Sequence, residues 1–231
     1  MSQTGPVFRS SEEVSQDVRP AWDALVSIED MHARRLSIPD CFEFTPRVFP
    51  DHRGLFVAPF QEEAFVEAVG HRLRLGQTNT SVSRRGSIRG VHFADTPPGQ
   101  AKYVYCPNGS LLDVLVDLRV GSPTFGEWTS VLLDSAEYKA VYIAEGVGHA
   151  FMALEDETVM AYLCSEPYNP AGEHGVNPMD AELALPWPQD VEPVVSEKDA
   201  AAPYLKEALE QGLLPRYDDC VAYYEKLRAA D

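Results

Sequence analysis

An all-β fold, a sandwich or barrel with helical segments at both ends, is what this 231-residue sequence predicts. Three observations carry that reading. Between Cys41 and about Pro167 the chain is a series of short segments rich in β-branched and aromatic residues. Turn signals separate them, among them Pro107-Asn108-Gly109, Gly121-Ser122-Pro123 and Gly146-Val147-Gly148. Helix-like apolar spacing is confined to the two ends, apart from one short interruption. Many short strands in this arrangement form a sandwich or a closed barrel.

In chain order, residues 1–10 are polar and expected to be disordered. Val14, Trp22, Leu25, Val26 and Ile28 are spaced as on one helix face, with Glu12 and Glu13 placed to suit a helix N-terminus. This predicts one helix or two short ones over about 11–36, broken at Pro20. Strands are predicted over 42–45, 102–105, 112–117, 128–133, 140–143 and 159–163, and Ile88, Val91 and Phe93 give strand-like content to their segment. The helical interruption covers 61–69, and helices return over 204–211 and 220–229. The organisation expected is an N-terminal extension over 1–40, a core over 41–190 and a C-terminal helical segment over 191–231.

Composition excludes several classes. With 19 Lys and Arg against 36 Asp and Glu, the formal charge is −17, which repels nucleic acid and anionic membrane surfaces. No run is long enough to span a membrane and residues 1–30 lack a signal-peptide pattern, so a cytoplasmic location is expected. Cys41, Cys106, Cys164 and Cys220 are widely spaced, contain no C-x-x-C pair, and are expected to be free thiols.

Against this acidic background, Arg84-Arg85-Gly86-Ser87-Ile88-Arg89-Gly90-Val91-His92-Phe93 sets three arginines beside a histidine, an anion site next to a base. His92 and His149 follow glycine-containing turns between strands, whereas the other histidines sit in more polar surroundings. Metal sites in small jelly rolls often use an H-x-H pair, but the residue two after His92 is Ala94. No metal site is predicted, and His92 is free to act as a base.

Several segments, in order, resemble the dTDP-4-dehydrorhamnose 3,5-epimerase family: Arg53-Gly54-Leu55-Phe56, Ile88 to Phe93, Gly99-Gln100-Ala101-Lys102, Asp113 to Arg119, Gly121 to Gly126, Glu145 to Phe151, and Ser196-Glu197-Lys198-Asp199-Ala200-Ala201. The runs Phe44 to Phe49 and Pro97 to Cys106 look most similar to the branch that makes deoxysugars for antibiotics, particularly the 5-epimerase of vancomycin-type aminosugar pathways. The resemblance implies a cupin-like jelly roll, a homodimer with exchanged strands, and no cofactor. It implies inversion of a carbon beside the 4-keto group of a dTDP-4-keto-6-deoxyhexose, C5 ahead of C3 or both. Carried over, His92 is the base, Asp199 its dyad partner, Lys102 the stabiliser of the enolate and Tyr162 the acid, with His149 a second active-site histidine. Arg53 and Arg89 match diphosphate binders, and Gln77, Asn79 and Tyr168 match the lining of the nucleotide and sugar pocket. Taken singly, Lys102, Tyr162 and Asp199 read as a surface lysine, a core tyrosine and a helix cap; the joint ordered match gives them roles.

Departures fall around the pocket: Ala58 where many members carry glutamate, Ala94 where glutamine is common, Thr80 where histidine is usual, and Pro167 where a second tyrosine often precedes Tyr168. They spare the acid–base set and argue against ordinary rhamnose synthesis. The resemblance runs from Met31, so the first thirty residues are either an extension, with Trp22, Leu25 and Ile28 packing on the barrel or across a dimer, or an early-placed start. Two other readings stay open on sequence, a nucleotide-sugar 3,4-ketoisomerase and a non-catalytic sugar-nucleotide-binding cupin.

Overall fold

The computed structural model describes residues 26–28 and 30–230. The strands are β1 (Val26–Ile28), β2 (Met31–Arg35), β3 (Phe42–Pro46), β4 (Val48–Asp51), β5 (Gly54–Val57), β6 (Gln77–Ser83), β7 (Ser87–Ala94), β8 (Lys102–Asn108), β9 (Ser110–Val116), β10 (Trp128–Asp134), β11 (Ala140–Ile143), β12 (Gly148–Ala153), β13 (Thr158–Cys164), β14 (Glu173–Gly175) and β15 (Val194–Val195). The helices are α1 (Glu62–Val69), α2 (Glu197–Ala200), α3 (Leu205–Glu210) and α4 (Tyr217–Ala229).

Two antiparallel sheets make the body, the jelly roll expected. One has the order β1-β2-β3-β11-β8-β13-β6, the other β10-β9-β12-β7-β14 with β15 parallel to β7, and β4 and β5 form a hairpin outside both. Side-chain alternation decides what lies between the sheets. From the first sheet Phe44, Tyr103, Tyr142 and Met160 point inward, and from the second Leu111, Leu115, Leu133 and Phe151 meet them in one core. The opposite face of the second sheet is also apolar, with Val114, Val116, Ala150 and Met152 under Leu183, Leu185, Trp187 and Ala208 of the C-terminal segment. β9 and β12 are therefore buried on both faces, which is why they read as near-continuous apolar runs.

The predicted strands over 42–45, 102–105, 112–117, 128–133, 140–143 and 159–163 correspond to β3, β8, β9, β10, β11 and β13, and the interruption over 61–69 is α1. Gly70 ends α1 in the left-handed conformation (φ 91°), its N–H donating to the Val66 carbonyl at 2.8 Å. The N-terminal helix expectation is corrected where it can be checked. Residues 26–28 and 31–35 are strands, and the rest of that helix, with Trp22 and Leu25, lies outside the described residues. In β2 a period of two wins: Met31 and Ala33 are buried, His32 is exposed, and the strand pairs with β3 ahead of residue 41. Among the described residues no helix is long and apolar enough to cross a membrane.

The motif over 117–126 is explained as structure. Arg119 is fully buried and donates from Nε and Nη2 to the two oxygens of Asp117 at 2.8 and 2.9 Å. Asp117 also accepts 2.6 Å hydrogen bonds from the Ser122 and Thr124 hydroxyls, so the turn closes on a satisfied ion pair.

Candidate active site

A cavity of about 560 Å³ opens between the sheets at one end. Its first wall comes from three adjacent strands in register. Tyr162 pairs with Asn79, Cys164 with Gln77 and Lys102 with Cys164, so the inward positions of β6, β13 and β8 form one surface. Asn79, Ser81, Tyr162, Cys164 and Lys102 of that surface line the cavity.

The opposite wall depends on a bulge. His149 of β12 faces His92 of β7, while Phe151, two residues on, faces Arg89, three residues back. The extra residue on β7 turns Arg89 and His92 to the same face, which a regular strand would set on opposite faces. Gly90 makes this permissible: its φ is 119°, and a Cβ there would lie 2.3 Å from the His149 carbonyl oxygen. Arg89 and His92 both line the cavity. The Arg89 guanidinium is braced by Nε donating to Ser83 Oγ at 3.1 Å.

The third wall arrives from far along the chain. β15 runs beside the start of β7 and delivers Ser196, whose Oγ caps α2 by accepting the Asp199 N–H at 3.1 Å. Asp199 then meets His92, with Nε2 to Oδ1 at 2.7 Å. Burial pushes the Asp199 carboxyl up, but the hydrogen bonds from His92 and Ser196 outweigh it and hold the group below its ordinary value. The dyad is therefore an ionised carboxylate fixing one imidazole nitrogen and leaving the other for the cavity. Lys102 is pushed down by desolvation, against the pull of Glu173, Cys164 and Asp113. Tyr162 is pushed up, first by desolvation and then by the charge of Asp113, opposed by a Ser81 contact and by Arg89.

Of the residues singled out from sequence, His92, Asp199, Lys102, Tyr162, Arg89, Asn79 and Tyr168 line this one cavity. Gln77 stands just behind, donating to Asn79 Oδ1 at 2.6 Å and accepting the Tyr168 N–H at 2.9 Å. His149 is also behind the wall, buried, with Nε2 2.6 Å from Asp113 Oδ1 and its ring 6.3 Å from that of Tyr162. Arg53 is the exception. It sits on the β4–β5 hairpin with its side chain 78% exposed and paired to Asp51, and the structure does not bring it to the cavity of its own chain.

Sequence reasoning gave no role to Asp113, Ser81, Glu173 or Lys198. Asp113 was signalled by a lone carboxylate in an apolar strand, and Ser81 by its two-residue step from Asn79. Of the departures, Thr80 lines the cavity, while Ala94 and Pro167 line an adjoining cleft of about 590 Å³ that shares Gln100, Tyr168 and Glu173 with it. Among the described residues no cluster of three or more His, Cys, Asp or Glu is placed to hold a metal ion.

The fold and cavity define a jelly roll with an acid–base site: a carboxylate-fixed histidine, a desolvated lysine and a desolvated phenol around one space. The family model for dTDP-4-dehydrorhamnose 3,5-epimerase matches residues 35–207, and the chain belongs to that family. It is 51% identical over 198 residues to the dTDP-4-dehydrorhamnose 3,5-epimerase of Mycolicibacterium smegmatis, covering 86% of this chain and 98% of that one. Among solved structures it is similar to NovW, a 4-keto-6-deoxy sugar epimerase from the novobiocin cluster of Streptomyces spheroides, with 49% identity, a TM-score of 0.81, and 85% and 99% of the two chains covered. It is likewise similar to ChmJ, a 3'-monoepimerase of Streptomyces bikiniensis solved with dTDP-quinovose, with 45% identity, a TM-score of 0.82, and 84% and 98% covered.

Proposed function

We propose that this protein epimerises a dTDP-4-keto-6-deoxyhexose in deoxysugar biosynthesis for an antibiotic or similar natural product. The observation that carries the reading is the convergence of His92–Asp199, Lys102 and Tyr162 on one cavity, within a chain whose relatives are named as epimerases of such sugars.

C3 and C5 both adjoin the C4 carbonyl, so one apparatus serves either. The free nitrogen of His92 takes the proton from carbon and the C–H electrons move into the carbonyl to give an enolate. Asp199 stabilises the imidazolium that results. The Lys102 ammonium meets the negative oxygen, where a fixed cation in a poorly solvated site is worth most. Tyr162 delivers its phenolic proton to the opposite face of the carbon and the configuration is inverted. The sequence pattern puts C5 first, and the relatives named above as 3,5- and 3'-epimerases share C3. Arg89 holds the diphosphate, and Asn79, Gln77 and Tyr168 position the nucleotide and sugar. No cofactor enters any step.

The chain divides into a core over 41–190, a C-terminal segment over 191–231 that supplies Asp199, and an extension over 1–40 whose β2 joins the core sheet. The protein works as a homodimer. Support comes from the β4–β5 hairpin, which belongs to neither sheet and leaves Leu55 and Phe56 47% and 70% exposed beside Arg53. A partner covering it would bring Arg53 into a diphosphate site across the interface, and equilibrium sedimentation reads the mass. A cytoplasmic location suits four buried free thiols.

The test is to incubate the protein with dTDP-4-dehydro-6-deoxyglucose in heavy water and follow C3 and C5 by NMR. Deuterium enters one or both carbons and His92→Ala abolishes it. Undiminished exchange in that variant sinks the assignment.

A further inference from the structure

We propose that Glu173 is a positioning residue that works through Lys102, as the stand-off counter-charge that keeps its ammonium ready for the enolate oxygen without occupying it. This rests on Lys102 meeting the enolate as proposed above.

A cation holds a developing oxyanion only while it is both charged and free. The two requirements conflict. A carboxylate in contact would secure the charge but compete for the ammonium, whereas a lysine alone in a poorly solvated site tends to give up its proton. Lys102 lines the cavity from β8, and its neighbours in register are Ile143 and Cys164. Among the described residues its side chain makes no hydrogen bond or ion pair. Desolvation pushes it down, opposed first by the charge of Glu173 and then by Cys164 and Asp113.

Sheet register puts Glu173 where a remote counter-charge is needed. β14 pairs with β7 so that Gly175 faces His92 and Glu173 faces Ala94. Alternate residues share a face, so Glu173 stands on the side of the sheet from which His92 enters the cavity. It is half-buried and lines both that cavity and the adjoining cleft, and among the described residues its carboxylate has no hydrogen bond or ion pair. The other charged groups around Lys102 are engaged or of the wrong sign. Asp113 on β9 is held by His149, and Asp199 on α2 by His92. Burial raises the Cys164 thiol on β13, which keeps it neutral. Arg89 of β7 and Lys198 of α2 also line the cavity, and their charges oppose that of Lys102. Tyr162 on β13 is pushed up, so it keeps its proton through the range in which Lys102 loses its own, and the alkaline limb of the reaction belongs to Lys102.

The test compares Glu173→Gln, which keeps the shape, with Glu173→Asp, which keeps the charge. Across the alkaline range it reads kcat and KM with dTDP-4-dehydro-6-deoxyglucose. It also reads, in the free protein, the NMR titration of lysines labelled with carbon-13 at Cε, the Lys102 signal being the one missing from Lys102→Met. In Glu173→Gln the Lys102 midpoint and the alkaline limb of kcat both fall by about half a pH unit or more, while KM at neutral pH stays within about threefold. Glu173→Asp brings both back toward the unmodified protein, and Glu173→Ala repeats the measurement if the glutamine variant does not fold. A limb and midpoint that do not move overturn the role, and so does a larger rise in KM, which would make Glu173 a direct contact of the sugar. Failure of the unmodified protein to exchange any sugar proton overturns the epimerase reading and this role with it; the lysine titration, which uses no sugar, tells that failure from the others.

Discussion

Two histidine–carboxylate pairs stand on neighbouring strands, and their difference shows how this fold separates chemistry from support. His92 and His149 face each other across β7 and β12. Each holds a carboxylate through Nε2, His92 to Asp199 at 2.7 Å and His149 to Asp113 at 2.6 Å. The His92 side chain is 30% exposed and opens on the cavity, whereas that of His149 is 5% exposed, with Asp113 at 0%. Asp113 Oδ2 is buried with no hydrogen-bond partner among the described residues. The same two residue types thus make a base with an orienting carboxylate at the mouth of the barrel, and a buried pair behind the wall that shapes the field around Tyr162 and Lys102.

The largest expected effect separates the pairs by activity. Asp199→Ala leaves the His92 imidazole without its orienting charge at a half-solvated site. Activity should fall by about 10³-fold or more, equivalent to about 4 kcal/mol of barrier. Asp199 is buried and its hydrogen bonds hold its carboxyl down, so some stability is lost as well, but the residue lines the cavity and the loss should stay below that of the His149 variant. Steady-state kinetics by NMR and a thermal melt on the same sample check both. A large drop in melting temperature with mild loss of activity would reverse the assignment of the two pairs.

The converse variant, His149→Ala, removes the one hydrogen-bond partner that the Asp113 carboxylate, sealed from solvent, has among the described residues. Breaking a buried pair from one side costs about 3 kcal/mol or more, since the remaining charge is uncompensated. Urea unfolding measures the loss, and adding Asp113→Asn to His149→Ala should recover part of it because the amide carries no charge. Equal stability of His149→Ala and the parent would show that the pair is as accessible to water as the dyad.

How much of this contrast was legible in the sequence follows from its physics. Strands buried on one face or two announce themselves by apolar content, so six of the strands and α1 were readable. β6 was not: its inward positions, Asn79 and Ser81, line a cavity instead of a core, and its outward face is an exposed edge. The loose helical spacing of Trp22, Leu25, Val26 and Ile28 extends a predicted helix over β2, where tertiary pairing with β3 decides for a strand. The spacing of Arg89 and His92 is uninterpretable without the bulge at Gly90, which no pattern of period two reveals. The dyad is harder still, since Asp199 lies 107 residues from His92 and only the ordered resemblance joined them. Resemblance also named Arg53, but one chain alone does not bring it to its own cavity.

A third buried carboxylate sharpens what His149 does for Asp113. Glu145 is 2% exposed, lies in the turn leading into β12, and its Oε2 has no hydrogen-bond partner among the described residues. Tyr224 of α4 donates to its backbone carbonyl, not its carboxylate. Burial pushes the acid up to about 7, an intrachain backbone hydrogen bond opposes this, and the charges of Glu166 and Asp40 add to the rise. With the folded value near 7 and the reference value 4.5, the folded state holds a proton over that interval which the unfolded chain has lost. Stability therefore falls as pH rises from about 4.5 to about 7 and is flat in this respect above it, a loss of about 3 kcal/mol. Glu145→Gln cannot ionise, so its unfolding free energy relative to the parent should rise by about that amount between pH 4.5 and pH 8. Urea unfolding at the two pH values tests it. A pH-independent difference would mean that Glu145 has found a cation or a well-ordered solvent cage, as Asp113 has found His149.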